Sequence, residues 1–201
     1  MSRKAIWFWT TFVLALILDQ ATKIWVYTNL EYRVDEIQVI PGFLSIVHAQ
    51  NPGAAFGILV DFEHRHLVFL AFTVVALGVI ADMYRKVPGH DRLLGFALGL
   101  ILSGAVGNAI DRVHKRTVTD FIRMYSDNPS IKPTLIEWFG TNEWPSYNVA
   151  DAALLIGVIL FMAHSMLVDD GDEAEPAAKS PPNDAPLEPP DESARAAGPS
   201  A

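Results

Sequence analysis

LLGFALGLILSGAVGNAIDRV, residues 93–113, is the stretch on which the fold turns. Its formal charges, Asp111 and Arg112, come only at the far end. As a helix rising ~1.5 Å per residue it can cross ~30 Å of hydrocarbon. Gly95, Gly99, Ser103 and Gly107 recur every fourth residue, so one face is small and a neighbouring helix can approach closely. That face is a packing device and says nothing of chemistry.

Working outward, three more windows of similar length and character flank it: Ala5–Tyr27, His66–Tyr84 and Val149–Val168. In a chain of 201 residues with 51% hydrophobic content, four such windows read as an all-α membrane protein with four transmembrane helices. Arg3 and Lys4 precede an apolar run, Ile6–Leu18, with the outline of a signal peptide. Asp19 and Lys23 then occupy the place of a small-residue cleavage site, and the apolar character resumes at Ile24, so a retained first helix is expected.

The net charge of −8 is misleading. Residues 169–201 hold nine acids and two bases, a balance of −7, which leaves −1 for residues 1–168. Seven of the 13 prolines also lie there, with almost no large apolar residue. Such a segment cannot bury enough surface to offset its ordering entropy, and we expect a disordered acidic cytoplasmic tail after a membrane domain spanning 1–168. The absence of cysteine excludes a thiol nucleophile, a disulfide and any thiolate metal site.

Arg3 and Lys4 flank the first helix, and Arg85, Lys86 and Arg92 crowd the short connection between the second and third. The density of these bases places both termini in the cytoplasm. The opposite side carries two long loops, 28–65 and 114–146, with more widely spread bases. In the first, Ile37–Ile40, a Pro41-Gly42 turn and Phe43–Val47 predict a hairpin or small curved sheet. In the second, Thr134–Phe139 predicts a short amphipathic helix. Trp25, Trp138 and Trp144 suit the interfacial zone.

Polar residues gather toward that outer face. Asp19 and Lys23, four apart on one helix, form a self-neutralising pair. Asn51-Pro52-Gly53-Ala54-Ala55-Phe56-Gly57 reads as a turn whose small residues would let another backbone come close, with Asn51 offering donors and an acceptor. Asn108 neighbours Asp111 and Arg112 at i+3 and i+4, while Asp111 and Arg112 point apart. Arg112 suits a headgroup anchor or a partner for a carboxylate elsewhere. Asp120 and Asp151 both fall at the hydrocarbon boundary on one side. Each has a structural explanation: Thr117 capping a short helix that contains Asp120, and Asn148 capping the fourth helix with Asp151 in its first turn. A carboxylate at membrane depth is nonetheless expensive, and two that share a site can share a proton and a water. The histidines are scattered and form no ligand cluster.

Five blocks, in order, resemble the lipoprotein signal peptidases, the signal peptidase II family of bacterial inner membranes. They are Asp19-Gln20-Ala21-Thr22-Lys23, Asn51 to Gly57, Gly104 to Arg112, Thr119-Asp120-Phe121, and Asn148-Val149-Ala150-Asp151. The resemblance implies four membrane helices, a small periplasmic β-sheet cradle and a periplasmic helix. It implies an intramembrane aspartyl endopeptidase that removes signal peptides from prolipoproteins by cleaving before the diacylglyceryl-modified cysteine. By position, Asp120 and Asp151 match the catalytic pair. Asp19, Lys23, Asn51, Gly53, Asn108, Asp111, Arg112, Asn148 and Ala150 fall at supporting positions. The expected partners are lipid-modified prolipoproteins and membrane lipids, with no nucleic acid, cofactor or metal, and the chain is expected to be a monomer. The stretch between Phe121 and Tyr147 is longer than the family pattern, and the tail lies outside it. A small transporter or proton relay is the rival reading, but no internal repeat is visible and the carboxylates lie near one face rather than at the midplane.

Overall fold

The computed structural model describes residues 1–53 and 62–169. Ala54, Ala55, Phe56 and Gly57 of the second block lie outside the described residues, as does the acidic tail from 170 onward. In chain order the elements are α1 (Arg3–Asn29), β1 (Glu36–Ile40), β2 (Leu44–Asn51), α2 (Arg65–Lys86), α3 (Arg92–Lys115), β3 (Val118–Met124), α4 (Lys132–Phe139) and α5 (Val149–Asp169). Helices α1, α2, α3 and α5 are long and apolar enough to cross a membrane.

Helix α3 is the axis of the bundle and packs against α1, α2 and α5. Its small residues explain why. A Cβ on Gly95 or Gly99 would strike the α1 backbone at Lys4 and Phe8; one on Gly104 would strike the carbonyl of Ala150 in α5. Gly157 returns the contact from α5, lying against the carbonyl of Ala97. Between membrane helices, where lipid is as apolar as leucine, such close backbone approach supplies the packing energy. Phe8, Val87, Leu94 and Leu98 fill the space near the first end of α3. There the Lys4 ammonium donates to the carbonyls of Tyr84 (2.8 Å) and Val87 (2.6 Å), satisfying the orphan acceptors that end α2. Leu14, Phe72, Val74 and Leu155 are exposed, as surfaces facing lipid tails should be.

The hairpin forms as its sequence predicts. Phe43 N–H donates to Ile40 O (3.0 Å) across Pro41-Gly42, with Gly42 at φ 75° where a turn with proline first needs glycine second. Strand β3, which periodicity did not disclose, adds to β2, making a three-stranded antiparallel sheet in the order β1-β2-β3. The expected helix around Asp120, capped by Thr117, is corrected here: Asp120 lies in the middle of β3 and pairs with Ala49. The β-branched residues Val118, Thr119 and Ile122 favour that strand, and β2 offers a free edge to it. Helix α4 begins two residues before the expected Thr134 and buries none of its side chains; Trp138 is 74% exposed. A second cluster, Val26, Leu30 and Phe121, joins the end of α1 to the sheet and reaches Val149.

Candidate active site

Two local structures bring Asp120 and Asp151 together. Beyond β3 the chain loops through α4 and returns along the open edge of β3. There Phe121 and Ile122 N–H both donate to Tyr147 O (3.0 and 2.8 Å), and Tyr147 N–H donates to Ile122 O (3.1 Å). The next residue, Asn148, opens α5 beside Asp120. Its side-chain oxygen accepts from Asp151 N–H (3.1 Å), while its own N–H donates to Asp151 Oδ2 (3.2 Å). This is a reciprocal cap at the N-terminus of α5, as expected.

The orientation of both amides follows from their partners. Lys23 Nζ can only donate, so the Asn108 atom facing it at 2.9 Å is oxygen. Asn108 Nδ2 is then free to donate to Asp151 Oδ1 at 2.7 Å. Likewise Asn148 Oδ1 is committed to a backbone N–H, so its amide nitrogen donates to Asp120 Oδ1 (2.7 Å) and to Asn108 Oδ1 (3.2 Å). The result is one chain of hydrogen bonds from Lys23 through two asparagines to both carboxylates.

Lys23 is buried with Asp19, each 1% exposed, at 3.0 Å. The pair is therefore not an interfacial one in water. Lys23 also meets Asp111 (3.5 Å), which Lys115 reaches from outside (3.4 Å) and which accepts from Thr119 N–H (3.0 Å). Asp111 thus ties α3 to β3 immediately before Asp120. Asp19 Oδ1 accepts from Ala150 N–H (2.9 Å), so α1 reaches across to hold the first turn of α5. Gly107 leaves room for that carboxylate, since a Cβ there would strike Asp19 and crowd Ala150.

Asn51 ends β2 on the same face as Ala49 and hence as Asp120, to which its side chain is hydrogen-bonded. Its Oδ1 also accepts from Gly53 N–H (2.8 Å), forming a turn that holds Gly53 at φ 86°. Arg112 points away from Asp111, as adjacent helical residues must. It lies within electrostatic reach of Asp151 and Asp120, and its guanidinium sits 4.8 Å from the centre of the Phe69 ring. Every supporting position named in the sequence is thereby drawn into one site.

Asp120, 3% exposed, has its carboxyl pushed up to about 6, first by burial and then by the neighbouring charge of Asp151. Hydrogen bonds from Asn148 and Asn51 and the charge of Lys23 pull the other way without cancelling the rise. Two acidic groups are coupled, one holds a proton near neutral pH more readily than a free carboxylate, and fixed donors surround both. Such a site can exchange protons with a bound water. The sequence did not single out Phe69 or Tyr147, and gave Thr119 only as part of a motif block; their roles depend on contacts between distant segments.

Residues 11–167 match the family model of signal peptidase (SPase) II. A lipoprotein signal peptidase of Geobacter metallireducens is 42% identical over 156 residues, covering 78% of this chain and 87% of the relative. One of Listeria monocytogenes is 39% identical over 155 residues, covering 77% and 89%. Among solved structures, a bacterial membrane enzyme obtained by the in meso method superposes with a TM-score of 0.66 at 31% identity, covering 85% of this chain and 93% of that one. A match over most of the length, together with relatives at this identity, makes the assignment: the chain belongs to the signal peptidase II family of membrane proteases.

Proposed function

We propose that this protein removes signal peptides from lipid-modified prolipoproteins as an aspartyl endopeptidase, with Asp120 and Asp151 as its catalytic pair. The observation that carries this reading is the single hydrogen-bonded chain that holds both carboxylates beside one another through Asn148. The raised pKa of Asp120 is what a shared proton requires.

The chemistry runs as follows. The ionised carboxylate takes a proton from water as its oxygen attacks the scissile carbonyl carbon. The protonated carboxyl donates to the developing oxyanion and then supplies the proton that the departing nitrogen needs as the C–N bond breaks. Asn108, Asn148 and Lys23 hold both carboxylates in place. Asp19 and Ala150 fix the α5 terminus beside Asp151. Asn51 and Gly53 border the side from which an extended peptide would approach.

The termini lie in the cytoplasm, the site opens near the periplasmic face, and the acyl chains of the substrate stay in lipid while its peptide reaches the pair. The protein works as a monomer. The test is cleavage of a diacylglyceryl-modified prolipoprotein peptide by the purified protein in lipid, read by mass spectrometry. A new N-terminus at the modified cysteine is expected, with the unmodified peptide cleaved far more slowly. Equal cleavage of both peptides, or of neither, overturns the substrate assignment.

A further inference from the structure

Helix α2 is the outlier of the bundle. It packs mainly on α3, meeting α1 only near its own end, where Tyr84 takes Lys4 and Phe8, and Leu67, Phe72, Val74 and Val75 face outward. Phe69 departs from this pattern. Its ring is half-buried, its edge occupies the space a Cβ on Gly53 would need, and its face carries the Arg112 guanidinium at 4.8 Å. Gly53 is held by Asn51, which is bonded to Asp120. Arg112 also donates to Asn108 O at 3.3 Å, at the edge of useful hydrogen-bond length. The ring therefore meets both approaches to the acid pair: the turn after β2 and the cation from α3.

We infer that Phe69 is a positioning residue for proteolysis, whose ring face holds Arg112 toward Asp120 and Asp151 while its edge braces the Gly53 turn. The inference rests on the catalytic pair proposed above. A cation over an aromatic face is held by the ring quadrupole, and the hold strengthens where water is scarce. Leucine would fill much of the same space but present no such face. Phe69 touches no carboxylate of the pair; it acts through Arg112 and Gly53. It also couples the otherwise peripheral α2 to the chemistry.

The test replaces Phe69 with pentafluorophenylalanine, which keeps the ring's outline but reverses the sign of its face. Phe69→Leu runs beside it, with Asp120→Asn and Asp151→Asn as reference variants in the same lipid-reconstituted cleavage assay. The fluorinated protein should lose kcat by about tenfold, with KM little changed and an unaltered melting temperature. Phe69→Leu should lose at least as much. In an Arg112→Gln background, fluorination should cost no more than twofold, because the cation it acts through is already gone. Wild-type kcat in the fluorinated protein while the aspartate variants are inactive overturns the role of Phe69 and leaves the pair standing. Wild-type cleavage by either folded aspartate variant overturns both.

Discussion

Asn148 sits where the two acids meet, and its amide does two opposite things to them. By donating to Asp120 it favours the ionised carboxylate; by capping Asp151 it keeps a second negative charge close, which disfavours ionisation of Asp120. Burial and Asp151 win, leaving Asp120 at about 6. The signs of two substitutions follow. Removing the neighbouring charge with Asp151→Asn should lower the Asp120 pKa. Removing the donor with Asn148→Ala should raise it. Isotope-edited infrared titration of the Asp120 carboxyl band reads both, and shifts of the same sign would refute the balance described. At this scale the sequence picked out residues that the fold brings together and was silent about their partners. Asp19 and Lys23 were legible as neighbours on one helix. That Asp19 would accept from Ala150 N–H, far away in sequence, was not, because no local spacing encodes an interhelical bond.

Among the elements, those with a local signal were readable and the one without was not. The Pro41-Gly42 turn and the apolar windows specify a hairpin and four helices by backbone preference and periodicity alone. Strand β3 has one buried side chain after another, from Val118 to Phe121, on both faces. No alternation survives to mark it as a strand, and its pairing partner lies beyond α2 and α3 in sequence. The Gly104 contact makes a demand at this scale. Because a Cβ would meet the Ala150 carbonyl and the Leu154 side chain, Gly104→Val should force α3 and α5 apart just below Asp151. A loss of about 1–3 kcal/mol is expected from such overpacking. Thermal denaturation in detergent should show a lower midpoint, with activity falling as well. A variant as stable and active as wild type would mean that the close approach is not what holds this pair.

The whole molecule is a bundle whose two ends have different tasks. At one end Lys4 closes the helix connections, and at the other a β-sheet packs against α1 and α3. Long segments from α1, β2, α3, β3 and α5 each bring one part of the site, which is why five short blocks spread along the chain converge in space. Membership in a protease family leaves the transporter reading without support. The central claim is that Asp120 and Asp151 together activate water for peptide hydrolysis. Its most direct test is the rate at which folded, lipid-reconstituted Asp120→Asn and Asp151→Asn proteins cleave a diacylglyceryl-modified prolipoprotein peptide. Each substitution should reduce kcat by roughly 10²–10⁴-fold, since either loss removes an acid–base partner. Cleavage at the wild-type rate by either folded variant would contradict the account.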